Sequence, residues 1–172
     1  HVTAPSYWKV TSNSPTPEPE AVDDKKSTWR FAPTPRISSY ITALIAGPYT
    51  EWRDSLTSSD GREVPLGVFC RESLAEYMDA DYIFQKTKEG FEFFEKLFDF
   101  PYPFDKYDQL WVPDFNAGAM ENAGAVTFTE NYVFRSAVTD AIRERRVVTI
   151  LHELAHMWFG DLVTMKWWND LW

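Results

Sequence analysis

A chain of 172 residues that is 44% hydrophobic and 17% aromatic, with eight Trp, carries too much apolar surface to stay disordered and requires a globular fold. With 17 Lys and Arg against 26 Asp and Glu the net charge is -9, which repels a phosphate backbone, so no nucleic acid is expected as a partner. The single cysteine, Cys70, cannot form an internal disulfide, and its place after Val68 and Phe69 predicts a buried, inert thiol.

The longest strongly apolar run, "ITALIAG", falls well short of the ~20 residues a membrane-spanning helix needs, and no secretory signal pattern is present. No membrane segment is expected in this chain. Its start at His1 and its stop at Trp172, both in mid-pattern, read as a piece of a longer polypeptide.

Residues 1–66 favour strands. "SYWKV", "TWRFA" and "SSYITALIAG" are rich in β-branched and aromatic residues and are separated by Pro, Gly, Asn and Asp. "TSNSPTPEPEAVDDKKS" reads as an exposed connecting loop, and "SSDGREVPLG" as a turn into a short strand at "VFC".

From Ser73 the spacing becomes helical. Ser73 with Glu76 fits a capping box, Leu74, Tyr77, Met78, Phe91, Phe94, Leu97 and Phe98 recur at helical intervals, and Gly90 is a candidate interruption. The prolines of "FPYPF" end that helix. "QLWVPDF" and "GAVTFTENYVF" read as strands around a small loop, "NAGAMEN", where Gly118 and Asn122 supply the turning freedom. A second helix is expected over 140–159, capped by Thr139, with Asp140 in its first turn and Gly160 just past its end.

That helix carries "HELAH". At ~100° per residue His156 stands ~40° around the axis from His152, so both imidazoles reach one ion, while Glu153 is turned ~100° aside. This is the arrangement in which two histidines hold zinc and a carboxylate acts on the attacking water without being a ligand. The metzincin continuation is ruled out, because Phe159 and Leu162 stand where it needs Gly and His. A catalytic zinc takes three protein ligands, so one more is needed. Downstream only Asp161 and Asp170 are available within the chain, and Asp161 follows the helix end too closely to fold back onto the histidine face.

"GAMEN" at 118–122, "HELAH" at 152–156 and the following "MWFGDLVTMKWWNDLW" together resemble the gluzincin family of zinc aminopeptidases, its bacterial members in particular. The resemblance runs over nearly the whole chain. It implies an α+β architecture: residues 1–66 would be the end of an N-terminal β-domain, and residues 67–172 the first part of a thermolysin-like catalytic domain. It implies Zn2+ as cofactor, with His152 and His156 as ligands and the third, a Glu about eighteen residues after the second His, beyond Trp172.

Glu153 would be the general base and Glu121 would bind the free α-amino group. Gly118 and Ala119 would line the substrate backbone, Met120 would border the first side-chain pocket, and Asn122 would complete the substrate-binding stretch. Peptides with a free N-terminus are the implied substrates. Ala119, where epoxide-hydrolysing relatives have Gly, points to simple aminopeptidase chemistry. Asp161, Asp170 and Trp158, Trp167, Trp168 and Trp172 are expected to support or pack the site. The single cysteine and the bacterial resemblance together imply a cytoplasmic location.

Overall fold

A computed structural model describes residues 1–170. The order of elements is β1 (Val2–Pro5), β2 (Lys9–Ser12), β3 (Glu20–Ala21), β4 (Lys26–Trp29), β5 (Leu44–Gly47), β6 (Tyr49–Thr57), β7 (Glu63–Arg71), α1 (Ala80–Phe98), β8 (Tyr107–Val112), β9 (Ala119–Met120), β10 (Ala125–Thr129) and α2 (Asp140–His156). Mixed sheets with a few helices make this an α+β arrangement. Among the described residues no helix is long and apolar enough to cross a membrane.

The principal sheet has the order β6-β7-β8-β10-β9. β7, β8 and β10 run parallel, while β6 and β9 are antiparallel edges. Side chains alternate across a strand, so this sheet has two distinct faces. Val64, Leu66, Val68 and Cys70 of β7 share one cluster with Trp111, Val126 and Phe128, and with Ile83, Phe84 and Phe91 of α1 and Ile150 and Leu154 of α2. Phe69, Leu110 and Ala125 face the other way, onto Ala43 and Ile45 of the N-terminal segment. β1, β4 and β3 form a separate small sheet, and β2 pairs with β5.

Several expectations change. "YTEWRDSLT", not anticipated as a strand, is the nine-residue β6, and the short strand expected at "VFC" is the nine-residue β7. Each is stabilised by pairing with the other across the "SSDG" turn. The division expected at 66/67 falls inside β7, and β6 already belongs to the principal sheet. The loop expected from Thr11 begins with buried residues, Thr11, Asn13 and Ser14, and contains the short β3.

Ser73 does not cap a helix. It lies inside a 3-10 segment, Glu72–Tyr77, and α1 begins only at Ala80. Gly90 does not interrupt α1. A Cβ there would meet Leu151 Cδ2 at 2.6 Å and Leu154 Cδ2 at 2.8 Å, so the glycine is what lets α1 and α2 approach. α2 is further pinned by Arg146, whose guanidinium donates to both Asp79 carboxylate oxygens at 2.8 and 2.7 Å just ahead of α1.

"NAGAMEN" is not simply a loop, since Ala119 and Met120 pair with Phe128 and Thr127 as an edge strand. The positive φ in this region belongs to Asp114 and Gly124, not to Gly118 or Asn122. α2 ends at His156, three residues short of the expected 159.

Candidate metal centre

α2 presents His152 at its surface and Glu153 on its buried side, one residue apart. One turn on, His156 brings its Nε2 to 3.0 Å from the Nε2 of His152. Two nitrogens on one tetrahedral zinc lie about 3.3 Å apart, so the two ring nitrogens already stand near the separation a shared ion requires. The early end of α2 explains how His156 is held: its Nδ1–H donates to the Phe159 carbonyl at 3.0 Å. A carbonyl only accepts, so Nδ1 carries the proton and Nε2 faces outward as a free ligand atom.

That contact needs Gly160. Its φ of +136 turns the chain back, and a Cβ would stand 2.9 Å from His156 Nδ1. Sequence reasoning took Gly160 only as a helix terminator; the signal for its second task, a glycine four residues after a ligand histidine, is visible only once the tautomer is considered.

Glu121 comes from the other side of the fold, directly after β9. Among the described residues, the ligand atoms of Glu121, Glu153 and His156 lie within 4.8 Å of one another. Burial, then the Glu121 charge, pushes the Glu153 carboxyl up to about 8. Its Oε2 is buried without a hydrogen-bond partner. His152 is lowered, first by burial and then by His156. Two imidazole nitrogens 3.0 Å apart, two carboxylates within 4.8 Å of His156 and an orphaned acid oxygen form a donor set suited to a divalent cation.

The cleft over these groups has a volume of about 420 Å³ and is walled by Tyr40, Glu121, His152, His156, Thr164 and Asp170, among others. Tyr40, unforeseen from the sequence, reaches it from the N-terminal segment and donates its hydroxyl to the Gly160 carbonyl at 3.4 Å. Gly118 is exposed, and Ala119 and Met120 pack partly against the main core. Asn122 is buried and turned inward, donating Nδ2 to the Ala125 carbonyl at 3.4 Å and to Thr127 Oγ1 at 3.2 Å, so its amide holds the turn.

Asp161 is buried, its carboxyl oxygens without a hydrogen-bond partner among the described residues and its pKa pushed up to about 8 by burial and then by Glu121 and Glu153. Trp158 packs among Phe91, Phe94, Phe98 and Tyr102, and Trp168, though half exposed, sets its edge against the Tyr40 ring with centroids 5.8 Å apart, whereas Trp167 is exposed and does not pack as expected. Trp172 lies outside the described residues.

The model of the peptidase family M1 domain matches residues 82–172, which take in α1 from its third residue, the β8–β10 strands and the whole histidine helix. The chain belongs to peptidase family M1. This M1 chain is 66% identical over 171 residues to an aminopeptidase N of Streptomyces lividans, covering 99% of the chain and 19% of that protein. It is 39% identical over 173 residues to an aminopeptidase Ey of Gallus gallus, covering 98% of the chain and 17% of that protein. To an aminopeptidase N of Homo sapiens it is 41% identical over 159 residues, covering 91% of the chain and 16% of that protein. The chain thus spans about a fifth or less of the length of the curated relatives it matches.

Proposed function

We propose that this chain supplies the two histidine ligands, the general base and the amine anchor of a zinc aminopeptidase that removes single N-terminal residues from peptides. The observation that carries the reading is the approach of the His152 and His156 Nε2 atoms to 3.0 Å, with the Glu121 and Glu153 carboxylates within 4.8 Å of His156. Relatives named aminopeptidase N support it.

His152 and His156 would hold the ion, and the resemblance to zinc aminopeptidases implies a Glu beyond Trp172 as the third protein ligand. The chemistry such an ion would supply is a lowered pKa for a bound water and polarisation of the scissile carbonyl. Glu153, whose pKa of about 8 a nearby cation would lower so that the carboxylate form is present at neutral pH, would take a proton from the attacking water and pass it to the departing amine. Glu121 pairs with the charged α-amino group of the substrate. A mid-chain amide has no such charge, so the carboxylate sets the register at one residue from the end.

Gly118 and Ala119 run beside the substrate backbone and Met120 borders the first side-chain pocket. On this reading residues 67–172 contribute the front of a thermolysin-like domain, with β6 belonging to it as well, and the 172-residue chain by itself has no useful turnover.

The test uses the full-length protein. It should release an aminoacyl anilide and leave the N-acetylated anilide intact, and Glu153→Gln should abolish turnover with zinc still bound. Equal cleavage of both anilides, or full activity in Glu153→Gln, would refute the assignment.

A further inference from the structure

Glu121 stands immediately beyond the last paired residue of a two-residue strand, since β9 pairs only Ala119 and Met120 with β10. A ladder that short fixes an emerging side chain poorly, yet the residues that follow are held from two sides. On one side is Asn13, buried just after β2. Its Nδ2 donates to the Ile41 carbonyl at 2.8 Å and to the Ala123 carbonyl at 2.9 Å, and its Oδ1 accepts from the Ala43 amide at 3.0 Å. One side-chain amide thus ties together three backbone segments that are distant in sequence, and the Ala123 amide adds a bond to the Ile41 carbonyl at 3.3 Å.

On the other side is a buried ionic group. The Gly124 carbonyl accepts from Lys106 Nζ at 2.7 Å and from the Asp108 amide at 3.0 Å. Asp108, fully buried, is in turn bound by Lys106 Nζ and Arg53 Nη1, each at 2.9 Å, and by Thr11 Oγ1 at 3.0 Å. Gly124, at φ +66, is wedged between: a Cβ there would lie 3.0 Å from the Lys106 carbonyl oxygen and 3.1 Å from that of Asn13.

We propose that Asn13 is a positioning residue for Glu121, its amide fixing residues 122–124 against the N-terminal strands and so setting where the amine-anchoring carboxylate stands relative to the histidines. The inference rests on the assignment of Glu121 to the substrate amine. It gives the N-terminal segment a part in exopeptidase selectivity although Asn13 touches neither substrate nor ion.

The test compares wild type, Asn13→Ala and the milder Asn13→Ser in the full-length protein, with two zinc-binding probes: an amino-acid hydroxamate with a free α-amine and its N-acetyl counterpart. The variants should narrow the preference for the free amine by about 10-fold or more, the scale of one charge-assisted contact. Affinity for the N-acetyl probe should stay constant. Amide hydrogen exchange should quicken in the peptide covering 118–127 and not in α2.

An unchanged preference, or a parallel loss for both probes, would overturn the proposal, as would unchanged exchange over 118–127. If wild type itself shows no preference for the free amine, the failure lies with the role of Glu121, and the exchange result alone then decides whether Asn13 holds this stretch.

Discussion

Replacing Gly90 by Ala sets two effects of opposite sign against each other. Helix propensity alone favours Ala over Gly in mid-helix by about 1 kcal/mol. The added Cβ, however, would lie 2.6 Å from Leu151 Cδ2 and 2.8 Å from Leu154 Cδ2, where ordinary contact is 3.4–4 Å. Leu154 is fully buried, so its methyl must move within the packed core rather than into solvent. Overpacking of this kind costs about 1–3 kcal/mol, and with two methyl groups to displace the upper half of that range applies.

The balance is a net loss of about 1–2 kcal/mol, or a fall in Tm of about 2–8 °C for a domain of this size. Leu151 and Leu154 flank His152 and Glu153 on α2, so the displacement also moves the metal helix and weakens zinc binding. Urea and thermal denaturation, run beside a zinc titration, read both. A higher Tm in Gly90→Ala would mean that propensity wins and that the close helix approach is not what the glycine serves.

Two other outcomes follow from single residues. Gly160→Ala places a Cβ against His156 Nδ1 and forces a non-glycine into φ +136, so zinc affinity should fall by about 10-fold or more, as for loss of any ligand's supporting bond; unchanged affinity would remove Gly160 from that role. Burial pushes the Cys70 thiol up to about 11 from its ordinary 9.0, so it should resist alkylation at pH 8 until the chain unfolds, and rapid labelling of the native protein would contradict its burial. The folded state then keeps a proton that the unfolded state releases near 9. Stability should therefore decline as pH rises from about 9 to 11, and Cys70→Ala should lessen that decline.

The histidine helix was legible because its information is local. Two histidines one turn apart and an acid between them lie within one helical stretch; Thr139 stands at its N-terminus as expected but makes no side-chain cap bond, and the last three residues expected in the helix lie outside it. β6 and β7 were misjudged because what stabilises them is mutual pairing, and β7 is buried enough that alternation is lost from its sequence. Ser73 looked like a cap, but a 3-10 turn uses the same residues.

Gly90 and Gly124 could not be interpreted from the sequence, since the neighbours that forbid a side chain there come from α2, from Lys106 and from Asn13. "GAMEN" pointed to an acid that the fold brings near Glu153 and His156, but its form as an edge strand depends on β10. Asn13 lay in what read as an exposed loop, because nothing in "TSNSP" records that three carbonyl and amide groups converge on it.

Zinc titration of the full-length protein, wild type beside His152→Ala and His156→Ala, reads the convergence of the two imidazoles directly. One zinc per chain should bind to wild type. Each variant should lose more than about 100-fold in affinity, beyond the 10- to 100-fold of a ligand's supporting partner. Wild-type affinity and stoichiometry retained in either variant would contradict the site.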